Sequence, residues 1–397
     1  MRGRSFLIIT VVIFCLVLSA CQQDTSLPQT PTMQPTATYR PILLITDTPT
    51  PTAESDEPEW STTLGEFFFS LGTQGAATGN RLMHLPADCV LNQTPCPTVR
   101  TLAGTPPITS SRAMLAWSPD GSTAAVTLTA PSDQRSVLYL YDPDGETWRA
   151  VERFSAVQPR MAWSADSAWL AFAAKNEGWD IFMVRADGSD LTNLTNGFWK
   201  EGEKLILAGW LEESIIISAG AAYDERVFAI DPFSGALQPL SGQVVFPGSS
   251  SDHLPLEISP DGNHLLYLDF SPDQGPLLMM MDRHGNPETT LANAISGWFG
   301  GFVWMPDTSW VAYWTQDSQE AVVYLIRPNG RERQIIFETK KVNALSFSQD
   351  SENLAIEYED DEGAHLTILA LREGLVYTIS APGIELNQAV TSFSWRP

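Results

Sequence analysis

From about residue 64 onward, short apolar runs alternate with clusters of Pro, Asp, Asn and Gly. Runs such as Trp169-Leu170-Ala171-Phe172, Leu265-Leu266-Tyr267-Leu268 and Asp180-Ile181-Phe182-Met183-Val184 read as β-strands. Between them lie turn signals with a mechanism. In Ser118-Pro119-Asp120-Gly121 the proline fixes φ near the value a type I turn requires, and glycine ends the turn. A second set of turns recurs as Pro143-Asp144-Gly145, Ala186-Asp187-Gly188, Pro328-Asn329-Gly330 and Arg372-Glu373-Gly374.

The pattern is periodic. Ala116-Trp117-Ser118-Pro119-Asp120-Gly121 returns as Ala162-Trp163-Ser164-Ala165-Asp166 and as Glu257-Ile258-Ser259-Pro260-Asp261-Gly262. It returns again as Val303-Trp304-Met305-Pro306-Asp307 and Ser346-Phe347-Ser348-Gln349-Asp350, with Gly209-Trp210-Leu211 as a degraded copy and Ser392-Phe393-Ser394-Trp395 as a truncated one. The apolar marker falls at 117, 163, 210, 258, 304, 347 and 393, at steps of 46, 47, 48, 46, 43 and 46 residues. Four strands per repeat of that length is the pattern of β-propeller blades. Trp-Ser-x-Asp, Leu-Ala-Phe, Asp-Ile-Phe-Met-Val, Asp-Gly and Leu-Thr-x-Leu-Thr, between Met161 and Thr195, closely resemble the WD40-like (PD40) repeat of TolB-type propellers. The resemblance extends over residues 64–397, weakest near Trp210 and Phe347, and implies a β-propeller.

The last marker has no second to fourth strand after it. Upstream of the first, Glu66 to Leu71, Arg81 to Leu85 and Val99 to Leu102 supply three strands without a first. The expectation is an all-β ring of seven four-stranded blades, with Val390–Trp395 completing the N-terminal blade; six or eight blades are the alternatives. Such closure removes the open sheet edges that recruit other chains.

The first 63 residues read differently. Arg2 and Arg4 precede the uncharged run Phe6–Ala20, too short for a membrane span of about 20 residues and suited to a signal-peptide core. Leu18-Ser19-Ala20-Cys21 resembles a bacterial lipobox, which implies cleavage before Cys21 and acylation of that cysteine; an uncleaved anchor or an ordinary signal is the alternative. Residues 22–58 hold nine Thr and seven Pro, a composition that reads as an extended, disordered linker reaching between about 33 and 115 Å. The expected division is therefore a leader at 1–20, a lipidated Cys21 with linker to 58, and a propeller at 59–397. Cys89 and Cys96, with six residues between them, form an even pair suited to a local disulfide in an exported domain; two unpaired thiols are the alternative.

Composition narrows the function. The 397 residues carry 23 Lys+Arg against 47 Asp+Glu, a formal charge of −24, which argues against nucleic acid and anionic lipid headgroups as partners. No nucleophile elbow, zinc helix or phosphate loop occurs, so no catalytic residue, metal or cofactor is expected. Asp142-Pro143-Asp144-Gly145 resembles a sialidase Asp-box, but Pro143 stands where that box needs Asp. The loops between second and third strands and those joining blades emerge on one face. On it, Asp224, Asp317, Asp360 and Asp361 form an expected acidic rim, and Phe154, Trp199, Phe246, Trp298 and Phe299 are expected as exposed rings. Such a face suits a cationic protein segment or a stacked sugar. The functional expectation is a non-enzymatic, lipid-anchored, extracytoplasmic scaffold that binds a protein or an envelope glycan; a glycan-binding or glycan-cleaving propeller is the alternative.

Overall fold

The computed structural model describes residues 64–73, 81–105, 113–129, 135–198, 203–221, 224–240, 256–271, 273–294, 297–379, 384 and 388–396. The expected leader, the expected lipidation site Cys21 and the expected linker lie outside these residues.

Seven four-stranded antiparallel sheets form the molecule. Blade 1 begins with β1 (Glu66–Thr73), β2 (Arg81–Pro86) and β3 (Arg100–Thr101). Blade 2 is β4 (Met114–Trp117), β5 (Ala124–Thr129), β6 (Ser136–Asp142) and β7 (Thr147–Phe154). Blade 3 is β8 (Ala156–Trp163), β9 (Trp169–Lys175), β10 (Trp179–Arg185) and β11 (Thr192–Asn193). Blade 4 is β12 (Lys204–Leu211), β13 (Ser214–Ala221), β14 (Asp224–Ile230) and β15 (Leu237–Pro239). Blade 5 is β16 (Glu257–Ile258), β17 (His264–Ser271), β18 (Gly275–Asp282) and β19 (Pro287–Asn293). Blade 6 is β20 (Trp298–Trp304), β21 (Val311–Gln316), β22 (Ala321–Ile326) and β23 (Gln334–Thr339). Blade 7 is β24 (Lys341–Phe347), β25 (Asn353–Glu359), β26 (Ala364–Ala370) and β27 (Leu375–Thr378). β28 (Gln388–Arg396) then pairs with β1, placing Trp395 opposite Phe67 and Ser394 opposite Phe68. The leading strands β4, β8, β12, β16, β20, β24 and β28 touch one another in succession, and β28 touches β4, so the structure is a closed seven-bladed propeller.

The Phe67-Phe68-Phe69 run explains how closure is held. Successive strand residues point to opposite faces, and every blade is covered on both. Phe67 and Phe69 pack toward blade 7, against Ala355, Leu366 and Ile368. Phe68 packs toward blade 2, against Ala124, Val126 and Tyr141. The C-terminal rings join the first contact, with Trp395 edge-on to Phe67 at 4.7 Å and Phe393 at 5.2 Å. Arg396 then ties blade 1 to blade 2. Its guanidinium donates to the Gly121 carbonyl at 3.1 Å, to Glu66 at 3.1 Å and to Asp144 at 2.9 Å.

One element departs from the all-strand reading. Between β2 and β3 lies a single-turn helix, α1 (Ala87–Leu91), and Cys89 on it is disulfide-bonded to Cys96. The bridge closes the only long connection on its side of the ring among the described residues, where the other third-to-fourth strand turns are tight.

Candidate functional site

The repeated Ser-x-Asp phrase defines one end of the ring, the turn face, and its atoms are internally committed. Ser118, Ser164 and Ser259 are buried, and each hydroxyl donates to the aspartate two residues on at 2.6 Å. Each also accepts the backbone N–H five residues on, at 2.9–3.0 Å. Ser348 repeats both bonds, to Asp350 and from Asn353. The residue after each aspartate is left-handed, with φ of 68° at Gly121, 61° at Ser167, 69° at Gly262, 63° at Thr308 and 63° at Ser351. Glycine takes this conformation freely and other residues are strained there. Two of the strained residues gain a contact from it. Ser167 accepts the N–H of Asp120 in the preceding blade at 3.1 Å, and Ser351 accepts that of Asp307 at 3.0 Å. The phrase that reveals the repeat is therefore a joint within and between blades.

The opposite end, the loop face, carries the predicted site residues. Trp298 is 53% exposed, and its strand partner is Gln316, next to Asp317. Gly297 permits this approach, since a Cβ there would stand 2.4 Å from the Gln316 carbonyl oxygen. The Asp317 carboxylate accepts the N–H groups of Gln319 at 2.7 Å and Glu320 at 3.0 Å. These bonds hold its carboxyl below the usual 3.8. Asp360 caps the corresponding turn of blade 7. It accepts from Glu362 at 2.8 Å and Gly363 at 3.2 Å, and lies 2.8 Å from the His365 ring nitrogen. Burial pushes the Asp360 carboxyl up, but the Glu362 N–H and His365 outweigh it and leave it below 3.8. Asp361 is exposed and paired with Lys340. Asp224 opens β14, its side chain outside the described residues, as are Trp199 and Phe246 altogether.

Two predicted rings are not on the surface. Phe154 is 1% exposed and packs 5.6 Å from Phe172 and 5.0 Å from Phe182 of the next blade. Only Ser155 separates β7 from β8, so no loop exists to display it. Phe299 is 7% exposed and lies 5.7 Å from Tyr313. It follows Trp298 in an extended strand, so when one ring faces out the other faces in. Phe198 is 62% exposed.

The structure thus places Trp298 one strand pair from Asp317, and Asp317 lines a cleft between blades 5 and 6. The cleft encloses about 310 Å³ and is lined by Asn293 and Ala294 of blade 5 and by Gln316, Asp317, Glu320 and Arg333 of blade 6. Tyr313 and Tyr324 form its wall, stacked at 4.9 Å with 14° between the rings, and the Arg333 guanidinium lies 5.3 Å from the Tyr324 ring. Glycines set the opposite side of the blade. Cβ atoms at Gly300 and Gly301 would stand 1.9 Å and 2.4 Å from the Trp314 indole, so that ring lies flat on the bare backbone and faces blade 7. Sequence reading missed Tyr313, Tyr324 and Arg333, because Val311-Ala312-Tyr313-Trp314 reads as one more core strand. Among the described residues no cluster of three or more His, Cys, Asp or Glu is arranged to hold a metal ion, and no helix is long and apolar enough to cross a membrane.

No protein-family model and no curated protein matches this chain. Solved structures do. The oligogalacturonate lyase of Vibrio parahaemolyticus is 13% identical, with a TM-score of 0.53 over 80% of this chain and 86% of that one. The β-propeller domain of the trilobed protease of Pyrococcus furiosus is 11% identical, with a TM-score of 0.53 over 80% of this chain and 99% of that one. That propeller is described as having an open velcro topology, whereas β28 and β1 pair here. TolB of Acinetobacter baumannii is 13% identical, with a TM-score of 0.49 over 85% of this chain and 68% of that one. The common ground with these proteins is the fold: the chain is a seven-bladed β-propeller.

Proposed function

We propose that the protein is a non-enzymatic, lipid-anchored scaffold outside the cytoplasm, which binds a protein or envelope partner through the loop face of its propeller. The observation that carries the reading is the exposed Trp298, paired across the strands with Gln316 next to the Asp317 turn on the loop face. An exposed indole beside fixed polar groups is a binding anchor, and the packed blades present it with little ordering cost. The rim carboxylates support binding over acid-base chemistry. A general acid needs a carboxyl raised toward neutral pH, whereas Asp317 and Asp360 are held low by the turns they cap. The lipobox-like Leu18-Ser19-Ala20-Cys21 supports the anchor, and residues 22–58 would set the reach.

Two measurements test this. Cys21→Ser should move the protein from the membrane to the soluble fraction of intact cells. Crosslinking from cells should capture a partner with the parent protein and lose it with Trp298→Ala at unchanged abundance. Equal capture by both would defeat the choice of face, and turnover of an offered glycan or peptide would defeat the non-enzymatic reading.

A further inference from the structure

Residues 87–99 join β2 to β3 on the turn face, and they reach past their own blade. The α1 turn touches β27, the outer strand of blade 7. Cys89, Val90, Cys96 and Val99 are buried in one apolar core with Leu366 and Ile368 of blade 7. Phe393 and Trp395 of the closing strand β28 pack on the same core. A groove of about 210 Å³ runs between the two blades. Cys89, Val90 and Cys96 line one side of it, and Val376, Tyr377 and Thr378 the other. β28 follows blade 7 in the chain and belongs to the sheet of blade 1. The 87–99 segment therefore links the same two ends of the ring that β28 links.

One end of the segment is well held. The Ala87 N–H donates to the Gly65 carbonyl at 3.0 Å, and the Leu64 N–H donates to the Asp88 carboxylate at 3.0 Å. Gly65 is left-handed, with φ of 86°, and a Cβ there would stand 2.8 Å from the Arg396 carbonyl oxygen. The start of the segment, the entry to β1 and the end of β28 thus meet at one point. The other end is held lightly. β3 is two residues long and pairs with β2 only as Met83 with Thr101 and His84 with Arg100. What fixes the segment between these ends is the Cys89–Cys96 bond. A cross-link of this kind acts chiefly by removing freedom from the open loop.

We propose that the Cys89–Cys96 disulfide is a redox-sensitive clasp on ring closure. Oxidised, it holds the segment against blade 7 and keeps the junction of blades 7 and 1 shut. Reduced, the segment, β27 and the end of β28 open locally while the other blades stay packed. The reductant is an external dithiol. It breaks the S–S bond and leaves two thiols, with two electrons and two protons supplied as the dithiol becomes a disulfide. Cys89 is 6% exposed and Cys96 9%, so the attack follows an opening of the segment. The clasp is complete only where disulfides form and persist, which is outside a reducing cytosol. This inference stands apart from the binding reading above.

The test uses the whole chain with Cys15→Ser and Cys21→Ser, so that Cys89 and Cys96 are its only cysteines. Backbone hydrogen exchange is read by mass spectrometry on the oxidised protein, on the protein reduced with a dithiol, and on Cys89→Ala/Cys96→Ala. Labelling times are chosen over which β13 of blade 4 stays protected in the oxidised protein. The amides of β27 and β28 should exchange about tenfold or more faster in both bridge-free forms, with β13 still protected. Re-oxidation of the reduced sample should restore the slow rates. Protection of β13 reports that the ring is folded, and reduction of the parent gives the answer without a substitution in the segment. Equal rates at β27 and β28 with and without the bridge would overturn the proposal. So would faster exchange spread evenly over β13 and the junction, because the bridge would then stabilise the whole ring and clasp no particular part of it.

Discussion

The turn face and the cleft between blades 5 and 6 are built from the same kind of strands, yet their polar atoms are in opposite conditions. On the turn face each repeat serine both donates and accepts, and Ser167 and Ser351 carry the bonding across to the preceding blade. In the cleft, the buried Tyr313 hydroxyl has only the exposed Arg333 guanidinium beside it. A buried polar group is tolerated when it is bonded and is costly when it is not. The serine joints hold the ring through bonds satisfied within the chain, whereas buried unpartnered atoms occur in several blades, at Ser70, Trp117, Trp304 and Trp395 as well as Tyr313.

The contrast can be broken most strongly at Ser118. Ser118→Ala leaves both the Thr123 N–H and Asp120 without their buried partner and should cost about 2 kcal/mol in urea unfolding, with partner capture unchanged. The same joint has an acid limit. Asp120 is lowered from 3.8 to about 2, first by the Ser118 hydroxyl and then by the Ser122 N–H. A depressed carboxyl contributes stability that is fully present above its unfolded pKa and lost as pH falls through the folded one. The urea midpoint should therefore drop between about pH 4 and pH 2, and Asp120→Asn should flatten that part of the profile.

A smaller effect is expected at Ser167. Ser167→Ala loses the bond to the Asp120 N–H but keeps the left-handed strain, and should cost about 1 kcal/mol. Ser167→Gly loses the same bond and relieves the strain, so it should be near neutral. If the glycine variant is as damaging as alanine, strain is not a part of the balance. Smallest and of opposite sign is Tyr313→Phe. Removing a buried hydroxyl whose one neighbour is the exposed Arg333 should leave stability unchanged or raise it by less than about 1 kcal/mol, read as a small rise in thermal midpoint. A loss of stability comparable to that of Ser118→Ala would erase the distinction between the two regions.

Much of the architecture was readable before any coordinates. The markers at 117, 163, 210, 258, 304, 347 and 393 count the blades because five of them end a leading strand and the other two, 210 and 393, lie within three residues of its end. The unmatched strands at 66–71 and 390–395 foretold the closing sheet, since a strand without a partner exposes a row of hydrogen-bonding groups. The rim was read less well. Phe154, Trp298 and Phe299 all adjoin blade junctions, but only Trp298 is exposed. In strands buried on both faces the usual alternation of apolar and polar residues is absent, so the sequence does not mark which ring faces out. The acids Asp317 and Asp360 were correctly placed in loops, yet their main bonds are to their own turns.

By itself the sequence determined the repeat and the closure of the first blade by the last strand, and favoured seven blades over six or eight. Those features rest on local patterns of apolar runs and turn residues that recur at near-constant spacing, and local patterns are written along the chain. Only the tertiary structure decided which residues line the cleft between blades 5 and 6. Tyr313 and Tyr324 come from two strands of blade 6 and Arg333 from the turn before its fourth, with Asn293 and Ala294 from the blade before it. Their convergence depends on the angle and contact between neighbouring sheets, a relation between residues far apart in the chain that no periodicity within it records.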